Sequence, residues 1–162
     1  MARLLLFLSL PLFILDQITK TWIVRNIRLN TEAREIIPNF FTIHHVANTG
    51  IAFGNFNGGK YSNLIFGAIA VIALSVMTML YRRGFFPGWI SRTAIALLVA
   101  GVCGNFLDRL LHGYVVDFLS FDLHVPFAHP WPSFNIADSC VVTAAILLFS
   151  ASFFESPKKV ES

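Results

Sequence analysis

The sequence predicts a mainly α-helical integral membrane protein, with four transmembrane helices and a small β-sheet on the outer face. Hydrophobic residues make up 56% of its 162 residues and charged residues only 13%, whereas about a quarter of a typical soluble domain is charged. The apolar residues are concentrated in four runs, each close to the roughly 20 residues that cross a bilayer. Between 119 and 127, apolar and polar residues alternate with period two, which favours an amphipathic strand.

The four predicted spans cover about residues 4–24, 62–81, 90–111 and 134–154. The first begins like a signal peptide, with Arg3 before an apolar stretch. However, the polar turn at 16–20 replaces the small residues of a cleavage site, so we expect a retained helix. The second span is nearly all apolar, which indicates a structural role. We therefore expect residues 1–162 to form a single membrane domain, with outer segments at about 25–61 and 112–133.

Four spans place both termini on one side of the membrane. Arg3, the Arg82-Arg83 turn and the Lys158-Lys159 pair then share a face, which the excess of positive charge in cytoplasmic loops marks as cytoplasmic. The unusual polar residues all fall near the opposite ends of the helices. They can therefore meet at one depth, near the outer interface.

The outer segments are predicted to form strands. The alternating stretch 119–127 contains Pro126, which suits an edge position. Residues 36–56 are rich in Phe, Ile and Val and are broken by Pro and Gly. We expect short strands there to pair with 119–127 as a small sheet lying on the membrane surface.

Two carboxylates, Asp117 and Asp138, lie among apolar residues at the edges of hydrophobic segments. A charge in or near hydrocarbon costs several kcal/mol unless it is paired, solvated or protonated, so each is a candidate functional residue. Two carboxylates in contact share a proton, which provides one general base and one general acid. Asp138 also has a local explanation, because Asn135 at an N-cap and Asp138 three residues later suit a helix start. That explanation does not extend to Asp117.

Two further motifs supply supporting polar groups in the first span and the first outer loop. Asp16 and Lys20 are four residues apart on one helical face, so they can pair; alternatively they form a purely structural ion pair with Lys20 extending outward. Asn48 and Gly50 lie in a sequence typical of a turn. Asn48 is then either a hydrogen-bond donor to substrate or only a turn residue.

The third span carries Gly101, Asn105 and Arg109 on one face, with Asp108 beside them. Gly101 and Gly104 are small residues that let neighbouring helices approach closely. We expect Arg109 to reach another segment or a lipid phosphate, with an ordinary interfacial arginine as the alternative.

No cofactor and no metal are expected. Cys103 and Cys140 lie inside apolar runs and read as small hydrophobic side chains. Neither they nor His44-His45 have the spacing of a metal site. The net charge of +3 comes without a clustered basic face, which argues against nucleic acid.

Three other functions are compatible with intramembrane acids. A proton-coupled transporter predicts polar residues along the whole membrane depth, whereas these gather on one side. A structural subunit predicts that both acids are dispensable. A metal-dependent protease built on His44-His45 or His124 lacks a ligand motif.

The motifs resemble, in order and over nearly the whole chain, those of the bacterial lipoprotein signal peptidases, the type II signal peptidases. The matching blocks are Asp16-Gln17-Ile18-Thr19-Lys20, Asn48-Thr49-Gly50-Ile51-Ala52-Phe53, Gly104-Asn105-Phe106-Leu107-Asp108-Arg109, Val115-Val116-Asp117-Phe118 and Phe134-Asn135-Ile136-Ala137-Asp138. The stretch 122–133, with His124, His129 and Trp131, matches none of them.

The resemblance implies a monomeric aspartic endopeptidase in the inner membrane that needs no cofactor. Its substrate would be a prolipoprotein with a diacylglyceryl-modified cysteine, cut just before that cysteine. Asp117 and Asp138 would form the catalytic pair. The residues implied to bind substrate or support the site are Asn48, Gly50, Asn105, Arg109 and Asn135, together with Asp16 and Lys20. We expect Gly101 and Asp108 to support the site as well. Membrane lipid would be a further partner.

Overall fold

The protein, analysed as a computed structural model, is described over residues 1–50, 62–125 and 131–155. Four helices are long and apolar enough to cross a membrane: α1 (Ala2–Asn26), α2 (Ser62–Arg82), α3 (Trp89–His112) and α4 (Ile136–Phe154). They confirm the four predicted spans. Large apolar side chains on their surfaces are exposed, such as Leu64 at 71% and Phe149 at 68%, as expected for helices that face lipid rather than water.

Helix α3 is the centre of the bundle, because it packs against each of the other three helices. Its closest neighbour is α4. Within the described ranges, α2 contacts α3 but makes no contact with α4.

Gly101 and Gly104 explain how closely α3 meets its neighbours, as the sequence predicts. A Cβ at Gly101 would overlap the carbonyl oxygen of Ala137 and lie 2.7 Å from Cγ2 of Val141 on α4. A Cβ at Gly104 would lie 2.6 Å from Oδ2 of Asp16 on α1. The two glycines therefore let α4 and α1 approach the same stretch of α3 from different sides.

Three antiparallel strands form one sheet in the order β1 (Ala33–Ile37), β2 (Phe41–Asn48) and β3 (Val115–Phe121). Asn48 is paired with Val115 and Val46 with Asp117, and a bulge interrupts β2 between Ile43 and Val46. The small sheet between the two outer segments is therefore confirmed. On its free side, β3 bonds to Phe134, just before α4.

The predicted strand at 119–127 is wrong in its position, because β3 begins at Val115 and ends at Phe121. Val115, Val116, Asp117 and Phe118 are all buried, so β3 carries no alternating pattern over its first half. Val116 and Phe118 pack against Ile23 and Ile27 at the end of α1. Pro126 and His129, to which the prediction referred, lie outside the described residues.

Candidate active site

Asp117 and Asp138 are brought together from different elements. Asp117 is on β3, 2% exposed, and Asp138 is in the first turn of α4. One residue, Asn135, contacts both of them. Its Nδ2 donates to Oδ1 of Asp117 at 2.8 Å, and its backbone N–H donates to Oδ2 of Asp138 at 3.1 Å.

Asn135 is also the N-cap of α4. Its Oδ1 accepts from the backbone N–H of Asp138 at 2.9 Å, so the pair forms the reciprocal bonds of a capping box. The local explanation of Asp138 is thus confirmed, but it does not compete with a functional one. Because the cap occupies Oδ1 of Asn135, the donor end of its amide must face Asp117.

Two other asparagines direct amide donors at the same acids. Asn48 Nδ2 donates to Oδ2 of Asp117 at 2.9 Å, while its Oδ1 accepts from the backbone N–H of Gly50 at 3.1 Å. Asn105 Nδ2 donates to Oδ1 of Asp138 at 2.7 Å. Asn48 and Asn105 therefore contact the acids directly and Gly50 contacts Asn48, while their support of the reaction stays a prediction.

Lys20 fixes the orientation of Asn105. Its Nζ lies 2.9 Å from Oδ1 of Asn105, 2.9 Å from Asp16 and 2.9 Å from Asp108. An ammonium group has three N–H donors, and here each has an acceptor. Lys20 is 2% exposed, so the alternative in which it extends outward is wrong.

Asp16 and Asp108 connect this ion cluster to the backbone around the acids. Asp16 Oδ1 accepts from the N–H of Ala137, next to Asp138, at 2.9 Å. Asp108 Oδ2 accepts from the N–H of Val116, next to Asp117, at 3.0 Å. Each carboxylate of the cluster therefore holds the chain beside one of the two candidate catalytic acids.

Arg109 and Gly101 lie at the margin of the site. The guanidinium of Arg109 stacks over the ring of Phe66 on α2 at 4.7 Å and donates to the carbonyl of Asn105 at 3.2 Å. Arg109 thus reaches another segment of the chain, which is one of the placements predicted for it. Gly101 contacts α4 rather than the acids, so its contribution is helix packing.

The electrostatic environment favours a protonated carboxyl at the sheet. Burial, and repulsion from the nearby Asp138, raise the pKa of Asp117 to about 7, against an ordinary value of 3.8. The hydrogen bonds from Asn48 and Asn135 and the charge of Lys20 act in the opposite direction. Asp117 is therefore able to hold or release a proton near neutral pH.

The sequence does not predict the contacts that Gln17 makes. Its Nε2 lies 3.0 Å from Asp16 and 3.3 Å from Asp108. It sits between Asp16 and Lys20 in the sequence, but no local signal indicates that it reaches α3. Within the described part of the chain, no group of three or more His, Cys, Asp or Glu residues is arranged to hold a metal ion.

The fold and this cluster define a membrane enzyme. A family model described as signal peptidase (SPase) II matches residues 8–154. Lipoprotein signal peptidase of Psychromonas ingrahamii is 37% identical over 95% of this chain and 87% of its own length. That of Staphylococcus carnosus is 34% identical over 94% of this chain and 92% of its own.

A solved structure gives the same result. A bacterial membrane enzyme determined by the in meso method at 2.3 Å resolution superposes with a TM-score of 0.82 and 31% identity, covering 98% of this chain and 92% of that one. The chain belongs to the signal peptidase II family and is an aspartic endopeptidase.

Proposed function

We propose that the chain removes the signal peptide from prolipoproteins whose cysteine carries a diacylglyceryl group, and that it cuts the bond just before that cysteine. Family membership supports the substrate class. The observation that carries the mechanism is that three oriented amides, from Asn48, Asn105 and Asn135, donate to the same two carboxylates.

In this mechanism Asp117 and Asp138 share one proton. The ionised carboxylate takes a proton from a water molecule, which attacks the carbonyl carbon of the scissile bond, while the protonated carboxyl protonates the carbonyl oxygen. When the tetrahedral intermediate collapses and the C–N bond breaks, the carboxyl that took the water proton gives it to the leaving amine nitrogen, and the other carboxylate takes a proton back from a hydroxyl of the intermediate. A pKa of about 7 for Asp117 supports this sharing at neutral pH.

A membrane-embedded substrate can approach the acids between α2 and α4, which do not contact each other in the described residues. Arg109 stacks on Phe66 of α2, and Asp138 lies on the first turn of α4. A helical signal peptide can lie along α3 between these two helices with its cleavage site at the acids, so that little of its apolar surface meets water.

We propose that the enzyme acts as a monomer in the bacterial inner membrane, surrounded by lipid, with both termini cytoplasmic and the acids toward the outer face. Arg82 and Arg83 lie at the end of α2 away from the acids, and the excess of positive charge on cytoplasmic loops supports this orientation.

The substrate claim is tested with the purified protein and two synthetic precursors that differ only in whether the cysteine carries a diacylglyceryl group. The expected result is a single cut, located by mass spectrometry just before the cysteine, in the lipidated peptide alone. Equal cutting of both peptides, or a cut elsewhere, would contradict the proposal.

A further inference from the structure

Gln17 occupies an unusual position, since it contacts both carboxylates that hold Lys20. Its Nε2 is 3.0 Å from Oδ2 of Asp16, 3.3 Å from Oδ1 of Asp108 and 3.2 Å from the carbonyl oxygen of Gly104. Neighbouring residues on a helix normally point in different directions. Here the long side chain of Gln17 turns into the α1–α3 interface beside Asp16.

The ion cluster needs such a donor because its ammonium group does not reach every carboxylate oxygen. One ammonium group, on Lys20, faces two carboxylates that are each 1% exposed. Buried carboxylate oxygens require hydrogen bonds. Among the described residues, Gln17 is the donor that reaches Oδ1 of Asp108, whereas Oδ2 bonds to Lys20 and to the N–H of Val116.

Asp108 is connected through hydrogen bonds and an ion pair to the surroundings of both acids. Through Val116 it holds the backbone next to Asp117. Through Lys20 it holds Asn105, and Asn105 in turn donates to Asp138 at 2.7 Å. A group that fixes the side chain of Asp108 therefore influences the positions of both candidate catalytic carboxylates.

We propose that Gln17 is a positioning residue for the hydrolysis. Its amide holds Asp108, and Asp108 in turn keeps Asp117 and Asp138 in the relative positions that the reaction needs. This inference rests on the proposed function of the two acids. Replacement by Leu removes the donor at similar volume. Replacement by Glu keeps a donor only while the new carboxyl is protonated, and once ionised it adds a third negative charge.

The experiment compares wild-type protein, Gln17→Leu, Gln17→Glu and Asn26→Leu as purified enzymes on the diacylglyceryl-modified precursor. Asn26 is an exposed amide on the same helix whose Nδ2 donates to the carbonyl of Trp22, so its variant should match wild type. Gln17→Leu should lower kcat by about ten-fold, because small displacements of reacting groups slow a reaction strongly, with little change in KM. The activity of Gln17→Glu relative to wild type should fall as the pH rises.

A purely structural role would lower the melting temperature and the amount of active enzyme without this pH dependence. If Gln17→Leu keeps the wild-type kcat, or if Gln17→Glu follows the wild-type pH profile at any level of activity, the positioning role is wrong. Failure of wild-type protein to cut the lipidated precursor would instead refute the proposed function, so the two failures are distinct.

Discussion

Lys20 Nζ lies 2.9 Å from the side-chain oxygen of Asn105, and this contact determines which end of the amide faces Asp138. An amide has one acceptor end and one donor end. Because a buried cation occupies the acceptor, the donor must point to the carboxylate, where it lies at 2.7 Å. The ion cluster of Asp16, Lys20 and Asp108 thus organises the site without contacting either candidate catalytic acid.

Lys20→Met should destabilise the protein strongly. It leaves Asp16 and Asp108 buried without their cation, and breaking a buried ion pair in this way costs about 3–5 kcal/mol. Thermal unfolding in detergent measures the loss. The matched control is Arg34→Met, whose partner Glu32 is 4.0 Å away at an exposed position and whose loss should cost less than about 1 kcal/mol. Equal effects would mean that the burial of Lys20 has no energetic consequence.

Asn135→Ser and Asn135→Ala should separate helix capping from support of the acids. Serine is nearly as good an N-cap as asparagine, whereas alanine loses about 1 kcal/mol. Neither side chain replaces the N–H donor that reaches Asp117. Both variants should therefore lose most peptidase activity, while Asn135→Ala should lose about 1 kcal/mol more stability than Asn135→Ser. An active Asn135→Ser enzyme would show that capping alone explains Asn135.

The pH dependence follows from the raised pKa of Asp117. Between pH about 4 and about 7 the folded protein retains a proton that the unfolded chain releases. This contribution to stability is therefore fully present below about pH 4 and is lost as the pH rises through about 7. If the pair must share a proton, kcat/KM also falls above about pH 7.

Asn48→Leu tests the same assignment. The Asn48 hydrogen bond lowers the pKa of Asp117, so its removal should raise that pKa and move the alkaline fall of kcat/KM to higher pH. The profile of kcat/KM against pH is the measurement. A shift to lower pH would contradict the assignment of this fall to Asp117.

Gly101→Ala should be harmful, whereas Gly67→Ala should be tolerated. The added methyl at position 101 overlaps Ala137 and Val141 of α4, and overpacking of this kind costs about 1–3 kcal/mol. At Gly67 the methyl would meet Phe106 at an ordinary 3.4 Å, and alanine favours a helix by about 1 kcal/mol. Melting temperatures of the two variants should thus move in opposite directions; equal losses would contradict the close α3–α4 approach.

The sequence predicts the features that depend on local patterns and spacing, but not those that depend on packing between distant segments. The four spans follow from long apolar runs, and the cap at Asn135 follows from its spacing to Asp138. The pairing of Lys20 with Asp16 is local and therefore predictable, but the second partner, Asp108, comes from another helix and depends on packing. β3 begins before the predicted strand at 119–127. Its early residues are buried on both faces, which removes the alternation by which a strand is recognised.

The most direct test of the central claim is the activity of Asp117→Asn and Asp138→Asn, purified in folded form, on the lipidated precursor with a metal chelator present throughout. Asparagine keeps the shape of each side chain but cannot exchange the proton. Each variant should lose essentially all cleavage while wild-type protein remains active with chelator. Substantial turnover by either variant would contradict the assignment of the two carboxylates as the catalytic pair.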